Sequence, residues 1–195
     1  LGGSATNDGG TGALMALGAR FYDKSGRLIE TQGGKILGAI DKIDLSDLDL
    51  RLKETELRLL YDVAIPLTGE KGATVNHSRQ KGACDDMVAK LENGMKHYAD
   101  VIRRTYNTYP DNIPGTGAAG ELGCGLMLAG GILTKGAPYM LKLTGFSRLA
   151  KKCDVIITGE GKTDCQTASG KLPVAVAREA KRHGKPVICI CGTAE

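Results

Sequence analysis

The chain has 195 residues, 28 of them glycine, and 26 Lys and Arg against 22 Asp and Glu give a net charge of +4. That length buries a core without covalent staples, and the scarcity of aromatics, with Ala, Val, Ile and Leu filling the apolar positions, points to an α/β class with helices over parallel sheet. The basic residues are scattered or grouped on polar helix faces (Arg148, Lys151, Lys152; Arg178, Lys181, Arg182, Lys185) without interleaved aromatics, which sets nucleic acid aside, and no apolar run is long enough to span a membrane.

The first ten residues, LGGSATNDGG, hold four glycines, two hydroxyls and one carboxylate. Glycines let backbone N–H groups turn toward an oxyanion, and a helix starting behind the loop adds its positive end, so this stretch outlines an anion-binding loop for a phosphate or carboxylate. Residues 11–21 place Leu14, Met15, Leu17 and Phe21 on one helical face. A hairpin with its turn at Lys24-Ser25-Gly26 is expected over 21–29, then a short helix after Gly33-Gly34. Residues 57–63 read as a strand that delivers Asp62 near its C-terminal end, where α/β proteins place ligands.

The stretch 84–106 is the clearest helix: Met87, Val88, Leu91, Met95, Tyr98, Ile102 and Tyr106 follow a period near 3.6, and Asp85-Asp86 favour its start. A second glycine loop at 115–120 (GTGAAG) precedes a helix over 118–128. From residue 150 the pattern becomes strand 154–158 (DVIIT), polar loop 159–171, helix 172–183 and strand 186–191 (PVICIC). This is a βαβ unit with strands buried on both faces, and it sets a domain boundary near 150: an α/β domain over 1–149 and part of a second over 150–195.

The loop at 115–120 matches G-x-G-x-x-G, but a turn precedes it and no acidic residue follows about 20 positions on, so a dinucleotide fingerprint is not met. Gly161-Lys162-Thr163 resembles the end of a P-loop whose first glycine would fall on Ile156, and that reading fails too. The inventory suits phosphoryl transfer, in which N–H groups and lysines neutralise phosphate oxygens, carboxylates hold Mg²⁺, and one carboxylate sits near the acceptor hydroxyl. The six cysteines show no C-x-x-C pair and no zinc spacing with His77, His97 or His183. They read as reduced, mostly core residues, and a cytoplasmic location is expected.

Five motifs in order, LGGSATNDGG, YDVAIPLTGEKGA, RQKGA, PGTGAAGELG and VIITGEGKTDCQTASGKLP, resemble the bacterial glycerate kinase family across the whole chain. The resemblance implies Mg²⁺- and ATP-dependent phosphorylation of D-glycerate, usually at the 2-hydroxyl. It also implies two α/β domains: a flavodoxin- or Rossmann-like one split in sequence, represented in part by 150–195, and an inserted one matching 1–149, with the active site between them. Family members are longer, so the chain is expected to be an internal piece with little activity alone. The family commonly has arginine at Lys162, asparagine at Ile65, Gly-Pro at Ser78-Arg79 and a further glycine at Glu121.

On this reading Gly2, Gly3, Ser4, Thr6 and Gly117 cradle an anion, with Lys81, Lys162 and Lys171 for phosphate or carboxylate contacts. Asp8, Asp62 and Asp164 are the carboxylate candidates, Asp62 and Asp164 also for the metal, and Glu160 stands behind them. The partners are the small molecules ATP and D-glycerate, and a homo-oligomer stays open. Two alternatives are a non-catalytic nucleotide- or anion-binding paralogue and a nicotinamide-dependent hydroxy-acid oxidoreductase.

Overall fold

The computed structural model describes residues 1–163 and 171–194. The chain divides into two units, Leu1–Leu133 and Thr134–Glu195. The division falls earlier than the expected boundary near 150, because the two helices α5 (Gly136–Leu143) and α6 (Phe146–Ala150) pack with the C-terminal helix α7 (Leu172–Arg182) rather than with what precedes them.

In the first unit, α1 (Thr11–Ala16) leaves the opening loop, but it ends five residues before the expected limit. The chain wraps back at Gly18, with the Ala19 N–H bonded to the Leu14 carbonyl, and Arg20–Tyr22 becomes strand β1. The hairpin expected after it is confined to a single bridge, Tyr22 to Leu28. β1 instead pairs antiparallel with β2 (Lys42–Asp44), in register Phe21 to Ile43. β3 (Arg58–Tyr61) pairs with β4 (Ile132–Lys135), and the Ile132 N–H meets the Leu57 carbonyl.

The 22-residue helix α3 (Asp85–Tyr106) forms where its periodicity predicts. Acidic residues stand in its first turn and Arg103 and Arg104 in its last, as the helix dipole favours, and Asn107 ends it in the left-handed region. Val88, Met95, Tyr98 and Ile102 face the core; Met87, expected inside, is 53% exposed. Leu14, Phe21, Leu37, Ile40, Leu67, Met95, Tyr98 and Ile102 are fully buried together, with the Phe21 and Tyr98 rings 6.4 Å apart in a tilted pair. This core fixes α1, β1 and the 3-10 turn Gly34–Ala39 against α3.

Helix α4 (Leu122–Leu128) begins four residues later than expected, since Ala119, Gly120 and Glu121 all take left-handed φ and cannot join it. It crosses α1 where glycine meets glycine. A Cβ on Gly10 would stand 2.9 Å from the Gly125 Cα, and Gly10 itself holds φ +74°.

In the second unit β5 (Ile156–Thr163) and β6 (Val187–Ala194) run parallel, in register from Ile156–Val187 to Thr163–Ala194, with α7 between them in sequence. The expected βαβ order is present, with two corrections. β5 continues to Thr163, so Glu160 and Lys162 are strand positions and not loop residues, because parallel main-chain pairing does not require apolar side chains. The strands are not buried on both faces either. Ile157, Ile188 and Ile190 are 53–64% exposed, while Ile156 packs with Val176 and Ala180 of α7. Of the five described cysteines only Cys124 is buried, so the core role expected of most of them is not met.

The α1–α4 crossing gives a stability test. Gly10→Ala combines a left-handed φ with a clash against Gly125 and is expected to lower the unfolding free energy by about 2–4 kcal/mol. Gly26→Ala has a similar φ of +77° but open space around the new methyl, and about 1 kcal/mol is expected. Urea denaturation of the two variants checks the difference.

Candidate functional site

The opening loop is held at the end of β3, where the Leu1 nitrogen donates to the Leu60 carbonyl at 2.5 Å. From there residues 1–4 form one wall of a cavity of about 290 Å³. Asp62, Val63 and Ile65, which follow β3, form a second wall, and residues 117–120 a third. The fourth comes from α2 (Ala73–His77) and the 3-10 turn Arg79–Lys81, which contribute His77, Gln80 and Lys81. All of these residues belong to the first unit.

Sequence positions far apart therefore converge: Gly2, Gly3, Ser4, Asp62, Lys81 and Gly117 share this cavity. Lys81 ties it together. Its Nζ donates to Ser4 Oγ at 2.9 Å and to the Thr6 carbonyl at 2.8 Å, spanning more than 70 residues of chain. Burial pushes its amine below the ordinary lysine range, and the Glu121 and Asp8 carboxyls act against that. The third wall demands glycine at 120: φ is +66°, and a Cβ there would run into the Thr6 carbonyl and Ser4 Oγ. The loops at 1–10 and 115–120 thus lie backbone to backbone.

Asp8 has a different place from the one expected. It is 8% exposed and stands outside the cavity wall; its Oδ1 accepts from the Gly10 N–H and its Oδ2 from the Gly12 N–H, each at 3.1 Å. These bonds satisfy orphan donors at the start of α1, the work of a capping carboxylate. Glu160, Lys162 and Lys171 belong to the second unit, where Glu160 Oε1 accepts from Thr163 Oγ1 at 2.9 Å and Lys171 precedes α7. Asp164 lies outside the described residues.

Behind the cavity is a buried network around Glu121, the residue whose charge the sequence sets beside the second glycine loop. Glu121 has no exposed surface; its Oε1 accepts from Asn7 Nδ2 at 2.7 Å and from Thr74 Oγ1 at 3.0 Å, while its Oε2 is buried without a hydrogen-bond partner. Burial pushes the carboxyl up to about 7, with Asp8 adding to the rise and Asn7, Thr74 and Lys81 opposing it. The charge at position 121 was visible in the sequence. Its partners were not, since α2 is five residues long and carries no readable period.

Among the described residues no group of three or more His, Cys, Asp or Glu could hold a metal ion. The G-x-G-x-x-G string follows a 3-10 turn (Pro110–Asn112) and not a strand, so the dinucleotide context is absent in space as it is in sequence.

Residues 1–195 match the family model described as the glycerate kinase family. The chain belongs to the glycerate kinase family. Among glycerate kinases it is 45% identical to one from Bacillus cereus (strain ATCC 10987 / NRS 248) and 42% identical to the glycerate 2-kinase of Escherichia coli (strain K12). Each alignment takes in 99% of this chain and 51% of the relative. Its fold matches a crystal structure of a protein assigned as glycerate kinase 2 from Salmonella typhimurium LT2 with a TM-score of 0.83 and 41% identity, covering 98% of this chain and 51% of that one. The chain spans about half the length of the curated relatives it matches.

The raised Glu121 carboxyl predicts a pH dependence of stability. The folded state keeps this proton to about pH 7, whereas the unfolded chain releases it near 4.5, so between these values the folded state binds more protons and stability falls as pH rises. Wild type is expected to lose on the order of 3 kcal/mol from this residue between pH 4.5 and 8. Glu121→Gln should flatten that decline in urea unfolding at pH 5 and pH 8.

Proposed function

We propose that the full-length protein carrying this chain is a glycerate kinase that transfers the γ-phosphoryl group of ATP to D-glycerate, giving a phosphoglycerate, with the 2-hydroxyl as acceptor. The observation that carries this reading is the Lys81 amine fixed on the glycine loop, with the Asp62 carboxylate in another wall of the same cavity. The names of the relatives supply the substrate class, and the E. coli relative's name supplies the 2-position.

An anionic group in this cavity meets the charge of Lys81 and the backbone of Gly2, Gly3 and Gly117. Catalysis of phosphoryl transfer is mostly positioning and neutralisation of charge, which such a cradle provides. In the transfer, the substrate hydroxyl oxygen forms its bond to the γ-phosphorus as the bond to the β-phosphate oxygen breaks. ADP leaves, and the hydroxyl proton passes to a carboxylate. Asp62, exposed at the end of β3, is the carboxylate of the first unit for this proton or for the cation. Ser4 Oγ and the Thr6 carbonyl hold the lysine in place.

Mg²⁺, when bound with the nucleotide, supplies further charge neutralisation on the phosphates. A hard cation that keeps several waters takes one or two protein carboxylates plus phosphate oxygens, so a single carboxylate such as Asp62 fits, and no protein cage is required. In the same proposal Asp164 shares that role with Glu160 behind it, and Lys162 and Lys171 serve phosphate or carboxylate contacts. A cytoplasmic setting is part of the proposal, supported by the five free cysteines among the described residues.

Lys81→Met and Asp62→Asn in the full-length protein are each expected to lower kcat/KM for D-glycerate by roughly 100-fold or more with little change in melting temperature. Steady-state assays with ATP and Mg²⁺ check this; near-wild-type turnover in both variants would remove the cavity from the reaction. Binding of D-glycerate without turnover in wild type would instead support the non-catalytic paralogue.

A further inference from the structure

Glu121 is a costly residue beside the cavity. It is fully buried, takes φ +64° where side chains are disfavoured, and leaves Oε2 unpartnered. Its position is not incidental to the cradle. It follows directly on residues 117–120 of the wall, and Gly120 packs on the same Thr6 carbonyl and Ser4 Oγ that hold the Lys81 amine. Through Asn7 and Thr74 its carboxyl joins the opening loop to α2.

We propose that Glu121 determines which anions the Lys81 cradle accepts: its buried carboxyl disfavours doubly charged ligands relative to singly charged ones, and anion binding is coupled to uptake of a proton by that carboxyl. This rests on the reading of the cavity as an anion site.

The charges facing Glu121 come from every neighbouring element. Lys81 of the 3-10 turn attracts it, Asp8 of the opening loop repels it, and the Cys124 thiol of α4, pushed up by burial, is neutral there. From α2, Thr74 donates a hydrogen bond and His77 lines the cavity. With the carboxyl ionised, its charge offsets that of Lys81; with the carboxyl neutral, the cradle keeps the full positive charge. A ligand of charge −2 gains about twice as much from that difference as one of charge −1, because the interaction scales with the product of charges. The gain is reciprocal, so a bound anion holds the proton on Glu121 more tightly. With burial pushing the carboxyl up to about 7, the effect falls near neutral pH.

The test uses the full-length protein, with sulfate as a probe that stays dianionic and D-glycerate as the monoanion. Calorimetry from pH 6 to pH 8, in buffers of different ionisation heat, gives affinity and proton uptake. Wild type is expected to lose about tenfold in sulfate affinity and about threefold in D-glycerate affinity over that range, with net proton uptake near pH 7. Lys81→Met assigns the signal to the cavity by abolishing it. Glu121→Gln, which keeps an acceptor for Asn7 and Thr74, should flatten both profiles and remove the uptake.

Profiles unchanged in Glu121→Gln but flattened in His77→Gln overturn the inference while leaving the cavity as an anion site. Failure of both anions to bind wild type at every pH overturns the cavity reading and the inference with it. Independently of any variant's folding, ¹³C-carboxyl NMR of wild type should show the Glu121 titration moving upward on saturation with sulfate. An unmoved titration counts against the coupling.

Discussion

The Lys81 amine, donating to Ser4 Oγ and to the Thr6 carbonyl, is the contact on which the candidate site depends. It joins the opening loop directly to the turn that follows α2, while Asn7, through Glu121 and Thr74, joins the same loop to α2 itself. A single ammonium with three donors can bond two acceptors and still face a ligand. Arginine would fix a planar fork in its place, so the compactness of the lysine head is what would let one residue be both strut and, on the proposed reading, binding group.

The rest of the first unit is arranged so that main chain can surround that amine. Gly120 brings its backbone against the Thr6 carbonyl, and Gly10 and Gly125 let α1 and α4 cross closely behind. Asp8 then stabilises the loop from inside, by occupying the Gly10 and Gly12 N–H groups. A carboxylate used this way is part of the scaffold, and on the proposed reading the main chain at Gly2 and Gly3, which lines the cavity, is the part that meets a ligand. The glycine-rich opening is therefore two structures in sequence: a more open stretch along the cavity at residues 1–4, and a capped helix entry buried over residues 7–11.

What could be read from the sequence followed the length and regularity of each signal. α3 was legible because 22 residues repeat one apolar period, with charges at both ends that suit the dipole. The strand entering at Ile156 was legible too, but its end was not: Gly159-Glu160-Gly161-Lys162-Thr163 has the composition of a loop, and only pairing with 190–194 makes it strand. Lys81 and Asp62 were found as residue types beside glycines or at a strand end. Their meeting with Ser4 depends on contacts across about 60 to 80 positions, and no local pattern encodes those. The hydrogen bonds of Asp8 were not legible either, since a carboxylate before a helix reads alike whether it caps the helix or faces a ligand.

Glu121 shows how energy arguments separate scaffold from function. A left-handed non-glycine residue costs about 1 kcal/mol, and a buried carboxyl oxygen without a partner about 1–3 kcal/mol more. Hydrogen bonds from Asn7 and Thr74 and the nearby Lys81 charge offset part of this, yet the raised proton affinity shows that burial still wins. A glycine at this position would fit the φ of +64° and bring none of these costs, and the glycines around it already supply the turn. What the fold gains from a carboxyl here is an acceptor for the buried Asn7 and Thr74 donors, which a neutral amide would also supply. On the proposed reading, what the carboxyl changes is the charge that Lys81 presents to the cavity, so its cost falls on ligand choice.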